Sequence, residues 1–91
     1  MGEPSVLRTI TVGLENGLHL VPCSRLVKLA NGFACTVHIR KGTIHADGKN
    51  IFDLMGLAAG PGEQLELATS GNGAEDAMTK LVQLFESNFA E

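Results

Sequence analysis

Apolar and polar positions change period several times along this chain, and each change marks an element. Residues 5–12 alternate, Val6, Arg8, Ile10 and Val12 against Leu7, Thr9 and Thr11, and their β-branched side chains predict a strand. Asn16-Gly17 signals a turn within 14–18. From 20 to 30 the period lengthens, with Leu20, Cys23, Leu26, Val27 and Ala30 at helical spacing. Asn31-Gly32 closes that helix, glycine taking a left-handed C-terminal position at no steric cost. Residues 33–40 alternate again, Phe33, Cys35, Val37 and Ile39 facing one way and Ala34, Thr36, His38 and Arg40 the other. Gly42 marks a tight turn and 44–46 a short returning strand. Residues 50–57 predict a short helix with Ile51, Leu54 and Met55 on one face, ended by the glycines and proline of 58–62. A strand at 64–69, a turn at Gly71-Asn72-Gly73 and a helix at 75–89 follow. Met78, Leu81, Val82, Phe85 and Phe89 line one side of that last helix.

Four short strands and three helices in 91 residues predict one α/β (α+β) domain over 1–91. Each strand has one apolar face, so the helices should cover one side of a mainly antiparallel sheet. With no Trp or Tyr and four Phe, the core must come from Leu, Val, Ile and Ala.

Charge and composition then remove several functions. A net charge of −3, with no basic stripe and few aromatics for base stacking, argues against nucleic acid as a partner. No apolar run reaches the roughly 18–20 residues a membrane span needs. The start, MGEPSVLRTI, lacks the charged and apolar regions of a signal peptide, so a cytoplasmic location is expected. Cys23 and Cys35 could pair, but without a secretory signal buried reduced thiols are expected. No cofactor is expected.

The chemically informative stretch is Asn16-Gly17-Leu18-His19-Leu20-Val21-Pro22, where a histidine stands at the junction of loop and helix. Pro22 suits a first turn, because the N–H it lacks would have had no helical partner. The remaining first-turn amides, those of Leu20 and Val21, point outward at the positive end of the helix dipole, a ready anion site. An imidazole there has a nitrogen free to attack phosphorus. His19 could equally be no more than a helix cap.

The stretch resembles the active-site motif of the HPr family, phosphocarriers of the phosphoenolpyruvate-dependent sugar phosphotransferase system. That motif is Gly-Leu-His, one variable residue, Arg, Pro; here it stands as Gly17-Leu18-His19-Leu20-Val21-Pro22. The resemblance runs nearly the whole chain, through Lys28, Ala30-Asn31-Gly32-Phe33, residues 48–55, Gly60-Pro61-Gly62-Glu63, Ala77 and Leu81-Val82. It implies a βαββαβα open-faced sandwich and His19 as phosphoryl acceptor. It also implies phosphotransferase-system partners, a phosphoenolpyruvate-dependent first enzyme as donor and a sugar- or regulation-specific acceptor protein. By the same resemblance Leu20, Ile51, Phe52 and Met55 form a shallow apolar face that docks them, with Leu54 buried.

Two positions depart from the family. Its arginine, two residues after the histidine, is Val21 here, which removes a charge-assisted contact of about 1.5–3 kcal/mol to the phosphoryl oxygens. Arg25, six residues after His19, is the expected substitute cation, because helical side chains lean toward the N-terminus. The serine that a dedicated kinase phosphorylates in regulatory members is Asn50 here. Asparagine cannot be phosphorylated, but with Asp53 three residues on it fits a helix N-cap.

Two other features could carry chemistry. Cys23, one turn from His19, could form a thiol–imidazole pair, although its place on the apolar stripe favours a packed thiol. His38 and His45 flank the turn at Gly42. A Lys41-Gly42 turn would set them directly opposite one another; a Gly42-Thr43 turn, which the family suggests, sets His45 opposite Arg40. Two histidines alone are a polar solvent face rather than a metal site, and no metal is expected. The sequence therefore reads as a phosphocarrier rather than a turnover enzyme. The alternative is an HPr-like regulatory or interaction module with weak or no phosphoryl transfer. A small thiol- or metal-dependent enzyme is the weakest reading.

Overall fold

In the computed structural model, which describes residues 5–90, the elements run β1 (Ser5–Thr11), α1 (Leu20–Ala30), β2 (Thr36–Lys41), β3 (Ile44–Asp47), α2 (Ile51–Gly56), β4 (Gln64–Ser70) and α3 (Ala74–Glu86). The strands form one sheet in the order β1-β4-β2-β3, every neighbouring pair antiparallel. Alternation along each strand sorts the side chains onto two faces. Val37, Ile39, Ala46, Leu65 and Leu67 are buried on one, beneath Leu26 of α1, Leu54 of α2 and Leu81 and Phe85 of α3. Each large side chain so buried is worth about 1.5–3 kcal/mol. Thr69 shares this face fully buried, and its hydroxyl donates to the Ala74 carbonyl at 2.7 Å, so it leaves no unmet polar group.

Among the described residues, no helix covers the other face. It carries Thr9, His38, Arg40, His45, Asp47 and Glu66, with the Arg40 guanidinium 2.9 Å from the Glu66 carboxylate. This is the one-sided α/β arrangement that the alternating strands predict. Cys23 and Cys35 are both buried and unpaired with each other.

Two boundaries differ by more than one residue from those the periodicity predicts. The second strand starts at Thr36, not residue 33, because β4 ends at Ser70, the partner of Thr36, and nothing remains for residues 33–35 to pair with. Side-chain burial still alternates there, with Phe33 packed partly against the core and Cys35 buried. The last helix spans 74–86 rather than 75–89. Asn88 and Phe89 take left-handed backbone angles (φ 54° and 61°), and Phe89 nevertheless swings back into the core, edge-on to Phe85 at 4.8 Å between centroids. A helix and a turn that both deliver an apolar side chain to one side look alike in sequence.

Gly48, between β3 and α2, lies against β2. Its N–H donates to the Val37 carbonyl at 2.7 Å, and a Cβ there would stand 2.4 Å from Val37 Cγ1. Gly48→Ala should therefore cost roughly 1–3 kcal/mol in urea unfolding, and less than that when the same change is made in a Val37→Ala background, which removes the clashing methyl.

Candidate functional site

The connection from β1 to α1, residues 12–19, is held by backbone bonds to residues 59–63. Val12 N–H donates to the Glu63 carbonyl at 2.9 Å, Gly62 N–H to the Val12 carbonyl at 2.8 Å, and Leu18 N–H to the Ala59 carbonyl at 2.8 Å. Gly17 is needed at this junction twice over. Its φ is +69°, and a Cβ would lie 2.5 Å from the Ala59 carbonyl oxygen. Leu18 beside it is buried, and the chain then emerges with His19 exposed.

His19 is the N-cap of α1 in extended backbone geometry, and its carbonyl accepts from Cys23 N–H at 3.0 Å. Its side chain makes no capping bond, so the imidazole is not committed to closing the helix. Ahead of it the amides of Leu20 and Val21 have no intrahelical acceptor, Pro22 has no N–H, and no acidic residue stands in the first turn. A nucleophilic ring and an uncompensated positive helix end thus share one short segment.

The cation expected beside this site is differently placed. Val21 is 48% exposed and brings no charge. Arg25, one turn further along the same side of α1, donates through Nη1 to the Phe89 carbonyl in the C-terminal turn. That turn also reaches the connection before His19: a Cβ on Gly13 would lie 2.6 Å from Asn88 Oδ1. Arg25 therefore ties α1 to a segment that abuts the β1–α1 connection.

Cys23 does not form a pair with the imidazole. Its Sγ donates to the Leu18 carbonyl at 3.5 Å and lies in the core, where burial pushes its pKa up and keeps thiolate scarce. Of the six large apolar side chains exposed among the described residues, four lie on the first turn of α1 and on α2: Leu20, Val21, Phe52 and Met55. The two helices pack against each other, so the patch has a common base. Ile51 is only partly exposed and leans on the core, and Leu54 is fully buried. Asn50 caps α2, its Oδ1 accepting from Phe52 N–H at 2.9 Å and Asp53 N–H at 3.1 Å.

The hairpin after β2 turns at Gly42-Thr43, and Arg40 pairs with His45 in the ladder. Among the described residues no group of three or more His, Cys, Asp or Glu side chains is placed to hold a metal ion. The bracing of the site by 59–63 and by the C-terminal turn escapes a reading by periodicity. Its faint sequence signal is the pair of glycines, Gly13 and Gly17, where other backbone approaches closely.

Comparison with known proteins agrees with this geometry. A family model described as the PTS HPr component phosphorylation site matches residues 6–87. The phosphocarrier protein HPr of Pseudomonas putida is 39% identical over 85 residues, covering 92% of this chain and 94% of its own. Phosphocarrier protein NPr of Escherichia coli K12 is 30% identical over 89 residues, covering 96% and 98%. The crystal structure of HPr-C-His from Thermoanaerobacter tengcongensis superposes with a TM-score of 0.90 at 30% identity, covering 94% of this chain and 97% of that one.

Residues 58–63, which brace the site, are themselves braced by Glu63. Its Oε1 accepts from Gly60 N–H at 2.7 Å, and its Oε2 lies 3.3 Å from Lys41 Nζ, which also donates to the Ala58 carbonyl at 3.1 Å. The Gly60 amide first, and Lys41 second, hold the Glu63 carboxyl below the usual glutamate range. A carboxyl whose pKa is lowered by folding stabilises the fold above its unfolded value and loses that contribution as pH falls through its folded value. Urea midpoints measured across the acid range should thus fall less steeply for Glu63→Gln than for the wild type.

Proposed function

The chain belongs to the HPr family of phosphotransferase-system phosphocarriers, and on that premise we propose that it accepts a phosphoryl group on His19 and passes it to an acceptor protein. The observation that carries this reading is the exposed, uncapped imidazole at the start of α1, ahead of the amides of Leu20 and Val21. A ring nitrogen of His19 attacks phosphorus, and the bond from phosphorus to the donor breaks as the N–P bond forms. Transfer to the acceptor breaks that bond in turn, so the histidine is regenerated and the chain is a carrier. The donor is a phosphoenolpyruvate-dependent first enzyme, and donor and acceptor dock in turn on Leu20, Phe52 and Met55, with Ile51 at the edge of the patch. The setting is the cytoplasm.

In the free carrier the phosphoryl oxygens meet helix amides and no cation from position 21. The helix end contributes about 0.3–1 kcal/mol, less than the 1.5–3 kcal/mol or so of a charge-assisted bond. Arg25 supplies part of the missing charge by leaving or sharing the Phe89 carbonyl when phosphate arrives.

Incubation with phosphoenolpyruvate and a first enzyme of the system should give acid-labile phosphohistidine in the wild type and none in His19→Ala. Val21→Arg should raise the transfer rate by roughly ten- to a hundredfold, the equivalent of one charge-assisted contact. Arg25→Ala should lower it; an unchanged rate would remove Arg25 from the site. No label on folded wild-type protein would instead favour an interaction module that uses the same apolar patch without phosphoryl transfer. At Asn50 the side chain is a cap with no hydroxyl, so treatment with the family's serine kinase and ATP should add no mass to the peptide that carries it.

A further inference from the structure

The sheet face turned away from the helices carries two of the chain's three histidines, and the phosphoryl site uses neither. His38 lies on β2 and His45 on β3. They are not directly opposite: His38 pairs with Asp47 and His45 with Arg40. The rings nevertheless meet on the diagonal of the ladder, which lies within reach of long or aromatic side chains. His38 Nε2 stands 2.7 Å from His45 Nδ1, the ring centroids are 4.9 Å apart, and both residues are exposed.

We propose that His38 Nε2 and His45 Nδ1 form a two-imidazole chelate for a first-row divalent ion such as copper(II) or nickel(II), with water in the remaining positions. Bonds of about 2.0–2.1 Å from each nitrogen to a shared ion at a right angle need the nitrogens about 2.9 Å apart. Side-chain rotation at two exposed positions supplies the few tenths of an ångström and the tilt that this requires. In the metal-free pair one N–H bridges the two rings. When the ion enters, that proton moves to the other nitrogen of its own ring, so two neutral imidazoles take up the ion with no proton released.

The surroundings suit a cation. Asp47, directly across from His38, and Asp53 line the same shallow concavity of about 520 Å³. Of the nearby positive charges Arg40 is neutralised by Glu66 at 2.9 Å, and Lys49, whose Nζ donates to the Phe33 carbonyl at 2.7 Å, is one charge against the two carboxylates. On the other side His38 faces Ala68, whose small side chain leaves room above the pair.

The test is titration of the full-length unphosphorylated chain with nickel(II) chloride and copper(II) chloride by calorimetry. It is paired with amide spectra that locate the paramagnetic broadening. One ion should bind per chain, copper more tightly than nickel, with broadening centred on β2 and β3. His38→Ala and His45→Ala should each weaken binding roughly 10²-fold, the gain that a second ligand already held in place provides. His19→Ala should leave it unchanged. Both positions are exposed, so the metal-free urea midpoints of these variants should match the wild type. Nickel should then raise the melting temperature of the wild type and not of either variant. Binding that follows His19 or survives loss of His38 or His45 would overturn the proposal, as would the absence of saturable one-to-one binding.

Discussion

The three helices of this chain press on one face of its sheet, and the layer of Leu, Ile, Val, Ala and Phe between them is what so short a chain can bury. A domain of this size covers only about 60–65% of the surface its unfolded chain exposes, which leaves material for one apolar layer. The opposite sheet face is therefore left mostly to polar side chains, with Leu7 exposed among them, and the helix ends are left at the surface. Both consequences matter for function. Leu20 and Val21 stand exposed at the start of α1 while the helix is anchored through Pro22, Cys23, Leu26 and Ala30. His38 and His45 meet in solvent because no described helix packs over them.

The proposed phosphoryl site gains its definition from what lies beneath it. Imidazole and helix amides come from one short segment, but their position is set by Leu18 on the Ala59 carbonyl and by Gly17 close against the same residue. Lys41 and Glu63 stiffen that support from the sheet side. The C-terminal turn closes it from another direction, with Asn88 against Gly13 and Phe89 accepting from Arg25. A fixed backbone thus lies under an exposed ring and an exposed Leu20–Phe52–Met55 patch.

Much of this was legible in the residues. Strand alternation, helical spacing and turn chemistry placed all seven elements and the one-sided sheet, because each depends on a local period. Asn50 as a cap followed from the amides it reaches two and three residues on. The burial of Cys23 followed from its place on the apolar stripe of α1. His19 at a helix start was equally local, whereas its assignment as an acceptor drew on the resemblance of the surrounding motif to a known family.

What stayed hidden depends on residues far apart in the chain. The second strand begins at Thr36 because β4, some thirty residues away (Thr36 pairs with Ser70), runs out there. The last helix stops at Glu86 because a left-handed turn carries Phe89 inward, and an apolar side chain looks the same whichever backbone delivers it. Arg25 finds its acceptor at Phe89, and Gly48 its constraint at Val37. Local sequence fixes the period of each element and the residue at its cap. Which partner each residue meets is settled by how the elements pack, since a hydrogen bond or a steric limit between distant residues exists only once the chain has closed around one core.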